Sequence, residues 1–379
     1  MHPSVEYALV CCVAAAGTIL LTPVARALAY AIGAIARPRE RDVHAFAIPR
    51  LGGIAIFAGF GLAILVAHSL PTLRSTFTAG NQVAGVMAAG AILLVLGILD
   101  DRYELDSLTK LAGQVLASGV MVVYGGVQFT AIYLPFGPGL VSLGLDIGFP
   151  VTVLFTVLTI NALNFIDGLD GLAAGVSAIT AGSFFAYAYH LADQRYTDVT
   201  SAPLLLSAAL AGACVGFLVH NFSPARIFMG DSGSMFVGLV LSASAASAVA
   251  QTDPQSYGDL QGAFPLYIPL LTLLFVLALP FVDLVLAIIR RVSRGESPFK
   301  PDKQHLHHRL LERGHSHRRA VLMLYFWSAL LAVGGVSLSI TQRPLVVGIV
   351  VAALAVVGLV ASLVPGAGLR RRHPPSPVR

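Results

Sequence analysis

Asp100 and Asp101 directly follow the apolar run Val86–Leu99. Asp167 and Asp170 lie in Asn161-Ala-Leu-Asn-Phe-Ile-Asp-Gly-Leu-Asp-Gly171, and Asp231 lies in Phe228-Met-Gly-Asp-Ser-Gly-Ser234. With only 19 acidic residues in 379, three such groups at the ends of apolar runs point to a shared task. Carboxylates at a membrane face are costly to desolvate, so they are paired, wetted or metal-bound. Each alone also makes a good helix cap. Together they offer hard oxygen ligands for Mg²⁺, which shares its coordination shell with substrate phosphates. Asn164 and Asp167 are three apart, as are Asp167 and Asp170, so each pair shares a face if the helix persists. Gly168 and Gly171 make a turn equally compatible. Gly230 and Gly233 let backbone approach a ligand closely. Ser232 to Ser234 open the next apolar run, where free N–H groups and the positive helix end would meet a phosphate. The pattern describes a diphosphate–metal site.

A second chemical block is Ser297-Pro-Phe-Lys-Pro-Asp-Lys-Gln-His-Leu-His-His-Arg-Leu310, with His305, His307 and His308 beside Lys300, Lys303 and Arg309. Zinc would need three or four ligands in tetrahedral geometry, and Cys11, Cys12 and Cys214 all sit far away inside apolar runs. A solvated linker is the plain alternative. An anion clamp, with imidazolium, Arg and Lys facing phosphates, suits the dense basic mixture best. His315 and His317 read as an ordinary basic helix start. The cysteines read as small apolar fillers, since adjacent Cys11 and Cys12 have no metal spacing and an odd total makes no disulfide framework.

The elements that must position these residues are membrane spans. The chain is 56% hydrophobic and 11% charged, against about 25% charged in a soluble domain. Eleven apolar segments stand out, at about 5–33, 51–68, 82–99, 109–127, 149–164, 169–190, 203–220, 234–251, 264–289, 320–340 and 344–364. Each is near the ~20 residues that cross ~30 Å of hydrocarbon. With the N-terminus outside, twenty Lys and Arg residues fall on the cytoplasmic side against Arg74, Arg195 and Arg343 opposite, a strong positive-inside bias. The same arrangement puts Asp100, Asp101, Asp167, Asp170 and Asp231 on that cytoplasmic face. The fold class expected is an all-α polytopic membrane protein with an N-terminus outside, a cytoplasmic C-terminus and a cytoplasmic active-site cleft. Residues 1–364 form a single transmembrane catalytic domain, 290–319 a His/Arg-rich loop within it, and 365–379 a disordered basic tail. Between Gln128 and Gly148, Phe136-Gly137-Pro138-Gly139 flanked by β-prone stretches predicts a small hairpin.

Five pieces in this order resemble the polyprenyl-phosphate N-acetylhexosamine-1-phosphate transferases, in particular their GlcNAc-1-phosphate branch. They are Pro49-Arg-Leu-Gly-Gly-Ile-Ala-Ile56; Leu99-Asp-Asp-Arg102 with Lys110 downstream; Asn161 to Gly171; His220-Asn-Phe-Ser-Pro-Ala-Arg-Ile-Phe-Met-Gly-Asp-Ser-Gly-Ser234; and His-Leu-His-His-Arg-Leu310. The resemblance implies that Asp231 is the principal Mg²⁺ ligand, with Mn²⁺ an alternative cation and Asp100 and Asp167 completing the metal set. It implies that Asp100 and Asp101 stand near a lipid phosphate, with Lys110 in the same pocket. Asn164, Asp167, Asp170 and Asn221 would line the nucleotide-sugar site, and Phe228 would stack on uracil. His305, His307, His308 and Arg309 would border the sugar and diphosphate, and His44 belongs to a signature preceding Pro49.

The implied reaction moves GlcNAc-1-phosphate from UDP-GlcNAc to an undecaprenyl or decaprenyl phosphate and releases UMP. It is placed at the cytoplasmic face of a bacterial inner membrane as the first membrane step of an envelope glycan pathway. The partners implied are UDP-GlcNAc, the polyprenyl phosphate and the bilayer, with no nucleic acid and a homodimer left open. The rival within the family transfers phospho-N-acetylmuramoyl-pentapeptide, but its histidine block runs as three consecutive histidines, whereas Leu306 interrupts this one. A transporter would show inverted repeats, of which the sequence gives no convincing sign, and its acids would lie mid-span, whereas here they gather at one face apart from Asp283 within 264–289.

Overall fold

Long apolar runs bounded by Gly, Pro and Asp become helices, because lipid offers no partner for a bare backbone and only internally bonded segments cross it. The computed structural model describes residues 2–36, 47–134, 139–194, 197–250, 293, 295, 316–341 and 343–363. The expected span at 264–289 with Asp283, the His/Arg-rich loop and the tail lie outside them. In chain order the elements are α1 (Pro3–Ile32), β1 (Ile35–Ala36), β2 (Ile48–Pro49), α2 (Gly52–Ser69), α3 (Arg74–Thr78), α4 (Gln82–Tyr103) and α5 (Ser107–Val123). Then follow β3 (Ala131–Leu134), β4 (Gly139–Ser142), α6 (Leu145–Ile166), α7 (Leu172–Asp193), α8 (Ala202–Asn221), α9 (Gly230–Ala250), α10 (His317–Ile340) and α11 (Pro344–Leu363). Eight of these helices are long and apolar enough to cross a membrane. This is an all-α polytopic membrane fold. The ten long helices α1, α2 and α4–α11 fall where ten of the eleven apolar segments were read.

The predicted hairpin forms: β3 and β4 pair antiparallel, with Ala131 opposite Ser142 and Leu134 opposite Gly139. A second, two-residue pair joins β1 to β2, Ile35 opposite Pro49. It fixes the chain just ahead of α2.

Helix α9 is the hub. It packs on α2, α4, α6, α7 and α8 and is buried almost throughout. Its sequence explains this: Gly, Ser and Ala recur along Gly230–Ala250, and small residues let neighbouring backbones come close where lipid supplies no hydrophobic drive between helices. The close approach is tightest at the end that carries Asp231. A Cβ added at Gly97 of α4 would lie 2.2 Å from the Ser232 Cα, and one at Gly53 of α2 would lie 2.2 Å from the Gly233 N. Lipid-facing leucines and valines such as Leu65, Val95, Leu116, Leu154 and Val357 remain exposed on the outer helices.

One end of the bundle collects the candidate site residues Asp100, Asp101, Lys110, Asn164 and Asp231. There lie the C-terminal ends of α4, α6 and α8 and the N-terminal ends of α2, α5, α7, α9 and α10. The chain ordering of spans makes this unavoidable, since successive helices run in opposite directions.

Candidate active site

Asp231 occupies the first turn of α9, directly after Gly230, whose φ of +72° lies in the left-handed region. A side chain at position 230 would also collide with Asp101, 2.5 Å from its Oδ2. Both constraints require glycine. Asp101, near the end of α4, explains the closeness. Its Oδ1 accepts the Asp231 N–H at 3.0 Å, and its Oδ2 accepts the Ser232 N–H at 3.2 Å and the Ser232 hydroxyl at 2.9 Å. Asp101 is thus a cap supplied across helices, satisfying the orphan amides of α9 and facing the positive end of its dipole. Of the Ser232 to Ser234 amides expected to stand free for a phosphate, that of Ser232 is already held by a carboxylate of the chain itself.

Helix α4 ends where Glu104 takes a left-handed conformation (φ 52°), and Asp106 caps α5 by accepting the amides of Leu108 and Thr109, each at 3.0 Å. This short reversal turns Lys110, in the first turn of α5, back onto α4. Its Nζ lies 3.1 Å from Asp100 Oδ2 and 3.0 Å from Asp231 Oδ2. Asp100 Oδ1 is tied to the Leu105 N–H at 2.8 Å. Asn164, one turn from the end of α6, donates from Nδ2 to Asp231 Oδ1 and to Ser234 Oγ, both at 2.9 Å. Four elements therefore meet at one carboxylate, Asp231.

Asp167 closes α6 as its C-cap with a helical φ of −75°, so it stays on the face of Asn164, while the turn that follows takes Asp170 off that face. Part of the Asp167 surface touches solvent, but protein crowds its other sides. Desolvation pushes its carboxyl well above the usual carboxylate range, and the charges of Asp231 and Asp101 push the same way. The Gly230 amide and the Arg50 charge oppose them. Asp167 holds a proton more readily than a solvated aspartate does.

Asp170 and Asn221 face a neighbouring backbone network. Asp170 Oδ2 accepts the Ala225 N–H at 3.0 Å. Asn221 accepts the Gly171 N–H at 3.1 Å and donates to the Ile227 carbonyl at 2.9 Å. These contacts fix the 221–229 segment against the 167–171 turn. The segment's far end is zipped to β2 and α2: Phe228 N–H donates to the Pro49 carbonyl, Gly52 N–H to the Phe228 carbonyl and Gly53 N–H to the Met229 carbonyl, at 2.9, 3.0 and 3.0 Å. The Pro-Arg-Leu-Gly-Gly piece is therefore a brace for Phe228 and the turn that bears Asp231. His305, His307, His308, Arg309 and His44 lie outside the described residues.

Several residues were missed. His317, read as an ordinary helix start, accepts the Asp170 N–H on Nε2 at 3.1 Å. Tyr325 donates its hydroxyl to the Gly171 carbonyl, and Arg318 Nε donates to the Ser223 carbonyl at 2.9 Å. These three bind α10 to the site. Beneath Asn164, buried Gln114 accepts from Asn161 Nδ2 at 2.7 Å and reaches Met235, which carries polar chemistry down from the site. A basic, aromatic helix start gives no sequence signal for such contacts; a lone Gln in an apolar helix does, because an intramembrane amide demands partners.

Among the described residues no group of three or more His, Cys, Asp or Glu side chains is arranged as a cage for a metal ion. The donor set nevertheless fits Mg²⁺. Asp100 and Asp231 converge on a cation already, the Lys110 ammonium, and Mg²⁺ characteristically takes one or two carboxylates and completes its shell with water and substrate phosphates.

The family model for glycosyl transferase family 4 matches residues 83–249, the stretch from α4 to α9 that builds this site. A decaprenyl-phosphate N-acetylglucosaminephosphotransferase of Mycolicibacterium smegmatis is 44% identical over 374 residues, covering 98% of this chain and 91% of that protein. The protein of the same name from Mycobacterium tuberculosis H37Rv is 44% identical over 365 residues, 96% of this chain and 90% of its own length. An undecaprenyl-phosphate alpha-N-acetylglucosaminyl 1-phosphate transferase of Escherichia coli K12 is 29% identical over 325 residues, 84% and 80% of the two chains.

Proposed function

Because the chain belongs to glycosyl transferase family 4, we propose that it transfers N-acetylglucosamine-1-phosphate from UDP-GlcNAc to a polyprenyl phosphate. The products are polyprenyl-diphospho-GlcNAc and UMP. The observation that carries this reading is the convergence of Asp100, Lys110, Asn164 and Asp231 at one end of a membrane bundle, in a chain 44% identical to named GlcNAc phosphotransferases. The positive-inside bias supports placing that end at the cytoplasmic face of a bacterial plasma membrane, where nucleotide sugars are found.

A lipid phosphate oxygen attacks the β-phosphorus of the UDP-sugar. The new P–O bond forms as the bond to the UMP oxygen breaks, and UMP leaves with that electron pair. A phosphate monoester has its second pKa near about 6, so the nucleophile is already largely ionised and needs no strong base. The difficulty is charge: two anions must meet in line. Positioned cations answer it by neutralisation and orientation. Asp231 and Asp100 would hold Mg²⁺, which neutralises the diphosphate and leaving group. Lys110 adds a positive charge beside the same carboxylates. Asn164 orients Asp231 through Oδ1, and Asp101 holds the whole first turn of α9, a positioning role rather than a reacting one. Phe228, braced by Pro49 and Gly52, presents the half-buried aromatic surface proposed for the uracil.

The test is direct. Purified chain with Mg²⁺ and polyprenyl phosphate is offered UDP-GlcNAc, UDP-GalNAc or UDP-N-acetylmuramoyl-pentapeptide, and released nucleotide is identified. UMP from UDP-GlcNAc is expected. UDP as the product, or turnover only with the pentapeptide substrate, would overturn the reading.

A further inference from the structure

Each central carboxylate commits one oxygen to the fold and turns the other toward the same ammonium. Asp100 Oδ1 accepts the Leu105 N–H at 2.8 Å, and Asp231 Oδ1 accepts from Asn164 Nδ2 at 2.9 Å. The remaining oxygens, Oδ2 of both, lie 3.1 and 3.0 Å from Lys110 Nζ. A divalent cation that bridges this pair is best served by those Oδ2 atoms, which face a common point, whereas the Oδ1 atoms are turned toward the α4–α5 turn and α6. An ammonium has three donors and no lone pair, so it cannot join a metal's shell, and its charge repels one. A cation bridging both Oδ2 atoms would sit close to where the Lys110 ammonium now lies, so metal entry and the two Lys110 bridges compete. The Lys110 side chain is 28% exposed and that of Asp231 24%, so the exchange has an open route from water. Lysine suits such an exchange: it is a point charge on a flexible stem, unlike the rigid fork of arginine.

We propose that Lys110 is an exchangeable counter-ion. It holds Asp100 and Asp231 together before a divalent cation arrives, yields both carboxylates to that cation, and is then available to an anionic phosphate. The inference rests on the metal-assisted transfer reading above and adds an order to it. By reciprocity of linked binding, the cation promotes phosphate binding by releasing the lysine, and bound phosphate promotes cation binding by retaining it.

Mn²⁺ binding to the purified full chain without substrates, read by electron paramagnetic resonance, separates this role from a simple substrate contact. Lys110→Gln removes the competitor, so its Mn²⁺ dissociation constant is expected to fall roughly 5- to 10-fold, the low end of couplings between linked sites. An equal or weaker affinity overturns the proposal. A second measurement uses the native chain, which has only three lysines, Lys110, Lys300 and Lys303. Mg²⁺ is expected to raise acylation of Lys110 severalfold relative to the other two, read by mass spectrometry; an unchanged ratio counts against it. Unaltered Mn²⁺ affinity in Lys110→Gln beside robust UMP release by the native chain removes the counter-ion role and leaves the transfer standing. Tighter Mn²⁺ binding by a chain that releases no UMP does the reverse.

Discussion

Asn164 stands between two acceptors, Asp231 Oδ1 and Ser234 Oγ, and its amide nitrogen donates to both. Replacing it with alanine removes both bonds, whereas aspartate places a carboxylate against Asp231. Asn164→Asp, the nearly isosteric change, is therefore expected to lower turnover more than Asn164→Ala, with each at least 10-fold below the native chain. Initial rates of UMP release rank them, and equal activity of all three would remove Asn164 from the site. Asp101 differs in kind. Both of its oxygens are engaged by α9, so Asp101→Asn keeps one acceptor and loses the charge facing the helix end. A loss of about 1–3 kcal/mol in stability is expected, together with a fall in turnover, while a purely reacting residue would leave the melting temperature unmoved. Thermal unfolding in detergent reads the difference. The sequence placed Asp100, Asp101 and Asp231 at one face but could not distinguish these roles, because the distinction depends on which oxygen meets which amide across two helices. Asp170 and Asn221 show the same limit. They sit in a motif-rich stretch, yet their side chains hold backbone at Ala225, Gly171 and Ile227.

Helices were the legible part of the chain. An apolar run of the right length admits little besides a span, and positions came out within a few residues, as at 203–220 against α8 (Ala202–Asn221). Ends were less legible. The eighth run was read as starting at Ser234, whereas α9 begins at Gly230, and this difference puts Asp231 inside the helix. The cause is tertiary: Asp101 of α4 caps that extra turn, and no local signal announces a cap from 130 residues away. Such capping needs α4 and α9 in near contact, which Gly97 permits. Gly97→Ala would force Cβ against Ser232 and drive the Asp100–Asp101 end away from Asp231. Turnover is expected to drop at least 10-fold with a lowered melting temperature. Gly119→Ala in α5, where a Cβ meets no described residue within 4 Å, serves as the control and is expected to behave as native. Matching behaviour of the two variants would mean that the α4–α9 approach does not set the site.

At the scale of the whole molecule, a hub helix with small residues gathers α2, α4, α6, α7 and α8 around it and brings their site-bearing ends to one depth. Such an assembly can hold a lipid head group and a water-soluble nucleotide at a single point, which is what transfer between them requires. Chelation with EDTA is expected to abolish UMP release and added Mg²⁺ to restore it; turnover that persists after chelation would remove the divalent cation from the account. The most direct measurement follows the phosphorus itself. Purified chain is given UDP-GlcNAc labelled with ³²P at the β-phosphate and a polyprenyl phosphate, and radioactivity is counted in the organic extract. Label is expected to enter the lipid fraction with the native chain and to fall to background with Asp231→Asn of native-like melting temperature. Label that stays in the aqueous phase with the native chain, or that reaches the lipid undiminished with Asp231→Asn, would contradict a phosphotransfer centre built on Asp231.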